Sequence, residues 1–183
     1  MLWDTHMHTH FSGDSNADPA AMARSAIEKN LAGICITDHL DYDYPDEPDL
    51  FTIDFPQYEK GIRQLQADFS DSLNINFGIE LGLQPHLAKK HHEILQEMDF
   101  DFVIGSSHVV HGLDPYYPAY YEGRSEHAAY LEYFESILEN IAAFHEFDVY
   151  GHIDYVVRYG PEKNKNYSYD KYKNVIDEIL RQL

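Results

Sequence analysis

The segment "DTHMHTHFSGD", residues 4–14, concentrates side chains that bind metal ions near the start of the chain. His6 and His8 are two residues apart, so in an extended strand both side chains point to the same face and can hold one ion. Imidazole and carboxylate donors without a thiolate suit Zn, Fe or Mn. The segment therefore predicts a metal site; the simpler alternative is a strand with two solvated histidines.

Four later segments, each at the end of an apolar run, carry further metal-binding side chains. His39 ends "ITDH", Glu80 ends "GIE", His108 ends "SSH" and His152 lies in "GHID". The C-terminal ends of parallel strands converge on one face of a (β/α) barrel. Five such coincidences favour a metal centre over an accident of sequence. We predict that its ligands come from successive strand ends: His6, His8, Glu80, His108 and His152.

Three further roles follow from side-chain chemistry near these motifs. Glu80 is the natural bridging ligand, since a carboxylate has two oxygens to share between two cations; the alternative is a helix cap or an ion pair. Arg158, six residues after His152, is a candidate phosphate clamp because a guanidinium binds two oxygens in a fork. Its alternative is an ordinary surface arginine. His111, three residues after His108, is a candidate substrate contact.

Other polar residues have less decided roles. His10 either lines the pocket or sits in the turn after the first strand, and Asp4 is expected to orient a ligand histidine. Asp14 and Asp38 remain open between a ligand, a support for a ligand and a helix-start carboxylate. The remaining histidines fall among charged residues in helical segments and are expected at the solvated surface: His86, His91, His92, His127 and His145.

Short β-branched runs alternate with longer helical patterns, which predicts successive βα units and a parallel sheet. Strands are expected at 2–8, 33–38, 73–80, 102–108 and 148–154. One helix is expected after Asp18, which can cap a helix begun by Pro19. Further helices are expected near 56–69, 85–98, 125–144 and 169–183. The length predicts a single domain over residues 1–183.

Composition limits the partners of this chain. Its 183 residues include 32 acidic and 13 basic side chains, a formal net charge of −19, which repels polyanions and disfavours nucleic acid. No apolar run approaches the about 20 residues of a membrane span, so no membrane partner is expected. The lack of a signal sequence predicts a cytoplasmic protein. A small phosphorylated substrate is compatible with this negative charge, because bound metal ions can dominate the local electrostatic field. Cys35, in "AGICITD", is expected to be an inert core thiol.

Together the motifs "DTHMHTHFSGD", "TDH", "GIE", "SSH" and "GHID" resemble the PHP (polymerase and histidinol phosphatase) superfamily. The spacing and the tail "GHIDYVVRYG" are most similar to its histidinol-phosphate phosphatase branch. The resemblance implies a distorted parallel (β/α)7-type barrel with two to three divalent ions, Zn, Fe or Mn. The implied ion sites are His6, His8 and Glu80; Glu80, His108 and His152; and Asp14 with His39. The family's final D-x-H motif would lie beyond Leu183, so the resemblance predicts a fragment truncated after about five βα units.

The resemblance also implies a metal-dependent phosphomonoesterase, most similar to the histidinol-phosphate phosphatases of histidine biosynthesis. Two ions sharing Glu80 would bind phosphate oxygens and supply a hydroxide for attack on phosphorus. Glu80, His108 and Arg158 are the expected catalytic residues, and Arg158 and His111 the expected substrate contacts. The alternatives are a PHP-type phosphodiesterase, a phosphotyrosine phosphatase and an inactive truncated chain that binds metal. The oligomeric state stays open.

Overall fold

The structure is a computed structural model that describes residues 2–183. Its strands are β1 Trp3–Met7, β2 Gly33–Ile36, β3 His39–Leu40, β4 Asn74–Gly82, β5 Phe102–Ser106 and β6 Val149–Tyr150. Its α-helices are α1 Pro19–Glu28, α2 Phe55–Asp68, α3 Ala88–Glu97, α4 Glu126–Ala143, α5 Tyr155–Tyr159 and α6 Tyr169–Gln182. Short 3-10 helices lie at Pro85–Leu87, Pro118–Tyr121 and Lys163–Lys165.

The strands form a curled half-barrel in which every pairing is parallel, in the order β1-β2-β4-β5-β6. β3 continues the line of β2 along β4. Ile36 aligns with Phe77 and His39 aligns with Glu80, so the register is the same on both sides of the interruption at residues 37–38. The predicted α/β architecture of parallel βα units is confirmed.

Two helices begin at capping side chains, of which the sequence predicts Asp18. The Asp18 side chain accepts hydrogen bonds from the backbone N–H groups of Ala20 and Ala21 at the start of α1, and Pro19 is the first helical residue. Ser125 caps α4 in the same way. Such oxygens satisfy N–H groups that the first helical turn leaves free. Within residues 2–183, no helix combines the length and the apolar character needed to cross a membrane.

Two apolar clusters hold these elements together. The first joins the sheet to α1 and α2 through fully buried side chains that include Ile34, Phe77 and Tyr58. The second joins α4 to α5 and α6, and includes Phe134 and Val156. Each fully buried side chain of this kind contributes about 1.5–3 kcal/mol. Cys35 is buried in β2 as predicted, and burial raises the pKa of its thiol to about 12.

Several elements differ in detail from the expectations. β2 ends two residues earlier than predicted, and β6 contains only two residues. β3 and α5 have no predicted counterpart, because segments of two and five residues are too short to display a recognisable period. Both short elements lie next to motif residues: β3 begins with His39, and α5 begins three residues after His152.

His91 is buried, so the expectation of a solvated side chain was wrong. It lies in α3 on the same face as Ile94, with its ring 6.2 Å from that of Tyr42 and 5.6 Å from that of Phe144. Neither ring nitrogen has a hydrogen-bond partner within the described residues, and burial lowers the pKa of His91 to about 4. Charged residues flank His91 in the sequence, so the buried face of α3 that contains it was not recognised. The other four histidines expected at the surface are exposed as predicted: His86, His92, His127 and His145.

Candidate metal centre

Five histidines surround the carboxylate of Glu80 at the C-terminal ends of the strands: His6, His8, His39, His108 and His152. Glu80 lies in β4 and is fully buried. Every strand of the half-barrel contributes a residue to this cluster or ends within three residues of one. The convergence expected for parallel strands therefore occurs around a single carboxylate.

One oxygen of Glu80, Oε2, faces the first strands of the sheet. Nε2 of His6, in β1, and Nε2 of His8, one residue after β1, each lie 3.1 Å from it. Nδ1 of His39, the first residue of β3, lies 3.2 Å away. The predicted alternation along β1 therefore brings His6 and His8 to the same atom.

The other oxygen, Oε1, faces the last two strands. Nε2 of His152 lies 2.8 Å from it and Nε2 of His108 lies 3.4 Å from it. Ser106, the last residue of β5, donates its hydroxyl to Oε1 at 2.7 Å. Gly151 leaves room for this contact, since a Cβ there would overlap the Ser106 hydroxyl. The two oxygens of Glu80 thus face two separate sets of histidines.

Asp14 lies beside the first set, in the turn after β1. Its Oδ1 is 3.7 Å from Nδ1 of His8, and its Oδ2 is 3.7 Å from Nε2 of His39. Its side chain is 47% exposed, in contrast to the buried Glu80. Asp14 can therefore contact both the histidines and a molecule above them.

Asp38 supports the turn that carries these histidines. Its carboxylate accepts hydrogen bonds from the backbone N–H of Thr9 at 2.5 Å and from the Thr9 hydroxyl at 2.8 Å. Ser12 accepts a hydrogen bond from the backbone N–H of His39 at 2.8 Å. These contacts join the loop after β1 to the interruption between β2 and β3. Among the roles left open by the sequence, the geometry favours a supporting role for Asp38.

Asp41 also belongs to the cluster, although it is not among the predicted ligands. Its Oδ1 lies 2.6 Å from Nδ1 of His108 and its Oδ2 lies 3.2 Å from Nδ1 of His39. Burial opposes the ionisation of Asp41, but His108 and His39 hold the pKa of its carboxyl well below the usual range. A signal for it exists in the sequence: Asp41 follows His39 by two residues, the same spacing that relates His8 to His6.

The charges in the cluster stabilise one another. Burial opposes the ionisation of Glu80, but the neighbouring histidines, His108 above all, hold the pKa of Glu80 well below its usual range. Burial would lower the pKa of His8, yet hydrogen bonds to Asp14 and Glu80 raise it to about 9. The carboxylates therefore remain ionised and act only as acceptors, for protons or for cations.

Several buried polar atoms in this cluster have no hydrogen-bond partner within residues 2–183: Glu80 Oε2, His39 Nδ1, His108 Nε2 and Asp41 Oδ2. Buried polar atoms nearly always have a partner. The donor atoms also form four groups of three within 4.8 Å: His6, His8 and Glu80; His8, Asp14 and His39; His39, Asp41 and His108; and Glu80, His108 and His152. Divalent cations would supply the missing partners, so the residues fit metal ions.

A cavity of about 640 Å³ opens above the histidines. The loop after β3, the loop after β5 and the helix α5 form its walls. Their lining residues are Tyr44, Leu50 and Phe51 from the first loop, Asp114, Tyr116 and Tyr117 from the second, and Tyr155, Arg158 and Tyr159 from α5. The floor is therefore imidazole and carboxylate, and the walls are largely aromatic.

Asp114 joins these walls to one another. Its buried carboxylate accepts hydrogen bonds from the hydroxyl of Tyr44 at 2.6 Å, the hydroxyl of Tyr155 at 3.0 Å and the backbone N–H of Tyr116 at 2.7 Å. Burial raises the pKa of Asp114 despite these donors. The ring of Tyr155 then lies 5.4 Å from the ring of His108, so this network connects the walls to the floor.

The sequence profile of the PHP domain matches residues 4–183. The chain belongs to the PHP domain family. A histidinol-phosphatase of Lactococcus lactis is 33% identical over 181 residues, 98% of this chain and 66% of that protein. A Clostridium acetobutylicum protein named "Probable histidinol-phosphatase" is 31% identical over 181 residues, 99% of this chain and 68% of that protein. This PHP domain chain thus spans about two thirds of the length of these relatives.

A solved structure resembles this PHP domain throughout. It is the crystal structure of histidinol phosphate phosphatase from Lactococcus lactis, complexed with zinc, L-histidinol and phosphate. It matches with a TM-score of 0.94 at 33% identity and covers 100% of this chain and 69% of its own. The predicted resemblance to the histidinol-phosphate phosphatase branch of the PHP superfamily is confirmed.

Of the two predicted substrate contacts, the PHP domain brings only Arg158 to the cavity. His111 lies in a separate depression of about 360 Å³. Its ring nitrogens there face Glu132 at 3.2 Å and Glu139 at 3.1 Å, both on α4. The backbone of His111 has a φ of +49°, in the left-handed region that non-glycine residues seldom adopt. His111 is therefore not part of the site proposed below.

Two other residues near β1 also lie apart from the floor. His10 is exposed in the turn, where its ring packs 4.4 Å from that of Phe11. Asp4 is exposed and accepts a hydrogen bond from the backbone N–H of His6 at 3.3 Å. The expected support of a ligand histidine by Asp4 thus acts on the main chain of His6 rather than on its ring.

Proposed function

We propose that this PHP domain carries the metal centre of a histidinol-phosphate phosphatase. The observation that carries the proposal is the buried Glu80 carboxylate, whose two oxygens face two separate sets of histidines under one cavity. A carboxylate shared in this way is suited to bridge two cations. The names of the relatives and the contents of the Lactococcus structure support the choice of reaction and substrate.

Two to three divalent ions of Zn, Fe or Mn would be held by the floor. His6, His8 and Glu80 would hold the first, Glu80, His108 and His152 the second, and Asp14 with His39 the third. The spacing of most donor atoms, 3.1–3.7 Å, supports this assignment. Two ligands about 2.1 Å from one tetrahedral ion lie about 3.4 Å apart. When bound, such ions polarise phosphoryl oxygens and lower the pKa of a water to near neutrality.

Arg158 would bind the phosphate from the wall of the cavity. Arg158 lines the cavity, and a guanidinium can offer two donors to two oxygens of a phosphate. Glu80 and His108 would act by holding the ions in place against the phosphate. Because phosphate monoesters react extremely slowly without a catalyst, fixed positive charge around the phosphate must supply most of the reduction in the barrier.

The cavity walls suit the organic part of histidinol phosphate. An ammonium or imidazolium group is attracted to the faces of tyrosine rings, and Tyr116, Tyr155 and Tyr159 line the cavity. Asp14 adds a partly exposed carboxylate next to the floor. The net charge of −19 favours a cationic leaving group over a polyanion, so nucleic acid stays disfavoured. A cytoplasmic location is retained as part of this proposal.

A panel of phosphate esters tests the proposal. The chain would be loaded separately with zinc, manganese and iron, and initial rates would be measured with histidinol phosphate, an aryl phosphate, a phosphotyrosine peptide and a phosphate diester. We expect histidinol phosphate to have the highest kcat/KM. A diester or the phosphotyrosine peptide in first place would reassign the reaction, and no turnover with any ester and metal would support an inactive metal-binding chain.

A further inference from the structure

We infer that Asp41 is a positioning residue that fixes the ring of His108 and links the two sets of histidines around Glu80. This inference rests on the metal centre of the proposed function and is independent of the substrate. Asp41 follows β3, and its carboxylate is buried with a side-chain exposure of 3%. Its two oxygens face one histidine from each side of Glu80.

The shortest of these contacts identifies a hydrogen bond rather than a shared ion. Nδ1 of His108 and Oδ1 of Asp41 are 2.6 Å apart. Two ligands of one tetrahedral ion would be separated by about 3.4 Å, so a cation does not fit between these atoms. An ionised carboxylate only accepts, and therefore Nδ1 of His108 donates. In the neutral ring Nε2 then carries the lone pair, which is the form that can bind a cation.

In this tautomer the nitrogen that can bind a cation, Nε2, faces Glu80. Nε2 of His108 lies 3.4 Å from Oε1 of Glu80 and has no hydrogen-bond partner within the described part of the chain. Metal-bound histidines usually donate their second N–H to a carboxylate, which fixes the ring and increases the basicity of the ligating nitrogen. For His108, the carboxylate that accepts this second N–H is Asp41.

The second oxygen of Asp41 extends the link to the other side of the floor. Oδ2 lies 3.2 Å from Nδ1 of His39, which is itself 3.2 Å from Oε2 of Glu80. A change at Asp41 therefore reaches a residue of two of the three implied ion sites: His108 beside one oxygen of Glu80 and His39 beside the other.

The fold reserves space for this carboxylate. β3 continues in register along β4, with His39 beside Glu80 and Leu40 beside Leu81, so Asp41 comes next to Gly82. A Cβ at Gly82 would overlap Oδ1 of Asp41. The backbone N–H of Asp41 is held by the carbonyl of Phe51 at 3.1 Å. Glycine at position 82 thus allows the Asp41 side chain to reach His108.

Zinc binding separates a positioning role from the alternatives. Zinc affinity and stoichiometry would be measured by calorimetry for the wild-type chain, Asp41→Ala and the near-isosteric Asp41→Asn. The matched control is Asp43→Asn, because Asp43 is two residues away and contacts His86 at 2.9 Å outside the cluster. We expect zinc affinity to fall about 10–100-fold in Asp41→Ala, with a smaller loss in Asp41→Asn and none in Asp43→Asn.

Nitrogen-15 spectra of the zinc-loaded chain supply a second readout. We expect a protected Nδ1–H signal from His108 in the wild type and in Asp41→Asn, and its loss in Asp41→Ala. Loss of one zinc per chain with unchanged affinity for the others would make Asp41 a direct ligand and overturn the inference. Unchanged zinc affinity in Asp41→Ala, or in Asp41→Asn if the alanine variant does not fold, would also overturn it. None of these outcomes depends on hydrolysis of histidinol phosphate.

Discussion

The floor and the walls of the cavity are built in different ways. Apart from Asp14, the floor residues lie in strands or within two residues of a strand end, and their central carboxylate, Glu80, is fully buried. The walls come from two loops and the five-residue helix α5, and several of their side chains are exposed, Tyr116 by 56% and Tyr117 by 40%. The strand registers therefore fix the floor, whereas the walls depend on side-chain contacts between loops.

This difference indicates a division between a floor that binds cations and walls that bind the substrate. A buried floor with converging imidazoles holds cations in one geometry, because its backbone is fixed by parallel pairing on both sides of β4. Walls tied by the Asp114 network can change residue by residue without disturbing the floor. Changes in the floor should therefore alter metal content, and changes in the walls should alter substrate binding alone.

The largest expected effect comes from the centre of the floor. Glu80→Gln removes the negative charge that faces both sets of histidines while it nearly preserves the shape of the side chain. We expect loss of bound metal and at least about a thousandfold lower kcat/KM for the preferred ester, since metal ions supply several kcal/mol of transition-state stabilisation. Metal analysis and initial rates check both expectations.

Glu59→Gln is the matched control for that variant. Glu59 lies on α2, and its side chain is 45% exposed beside Arg63. We expect its metal content and rate to equal those of the wild type. Full metal content in Glu80→Gln would remove the bridging assignment, and with it the distinction between the floor and the walls.

A smaller effect is expected from the wall residue Arg158. Arg158→Ala should raise KM for histidinol phosphate about 10–100-fold, because a charge-assisted hydrogen bond contributes about 1.5–3 kcal/mol. Metal content should not change. Steady-state kinetics at equal metal loading measure the first quantity and elemental analysis the second.

Arg158→Lys and Arg24→Ala sharpen this test. The lysine variant keeps the charge without the planar fork, so we expect an intermediate KM. Arg24 is exposed on α1 and contacts only Asp18 among the ion pairs of the described residues, so its removal should leave KM unchanged. A loss of metal in Arg158→Ala would mean that the walls also hold the floor.

The same division explains which parts could be predicted from the sequence. His6, His8, Glu80, His108 and His152 were predicted as a cluster because strand periodicity and the convergence of parallel strand ends are local and repetitive signals. The structure brings their side chains together. Their role as ligands stays a prediction that the zinc and metal analyses above would check.

The walls could not be predicted to the same depth. The network of Asp114 joins Tyr44 and Tyr155, which are 70 and 41 residues away along the chain, and no short-range pattern encodes such a contact. His111 lies close to His108 in the sequence, but its ring nitrogens face Glu132 and Glu139 on α4 instead of the cavity. Asp41 was missed although its two-residue spacing from His39 was visible, because β3 was too short to be recognised as a strand.

The smallest expected effect concerns His91, whose ring packs against Tyr42 in the loop after β3. Burial lowers the pKa of His91 to about 4, whereas the unfolded chain has the ordinary value of 6.5. At a pH between these two pKa values, His91 binds a proton in the unfolded chain but not in the folded chain. The free energy of unfolding therefore falls as the pH falls through this range. From pH 7 to pH 5 we expect His91 to account for a loss of about 2 kcal/mol.

Urea unfolding at both pH values measures this loss in the wild type and in His91→Phe, whose ring can pack between Tyr42 and Phe144. The phenylalanine variant should lose about 2 kcal/mol less on acidification. His92→Phe is the matched control, because His92 is the next residue, is exposed and contacts Glu146. Equal losses in His91→Phe and the wild type would contradict the prediction. If acid instead reduces metal content and stability together in every variant, protonation of the floor histidines dominates, and the floor rather than the walls limits the stability of the domain in acid.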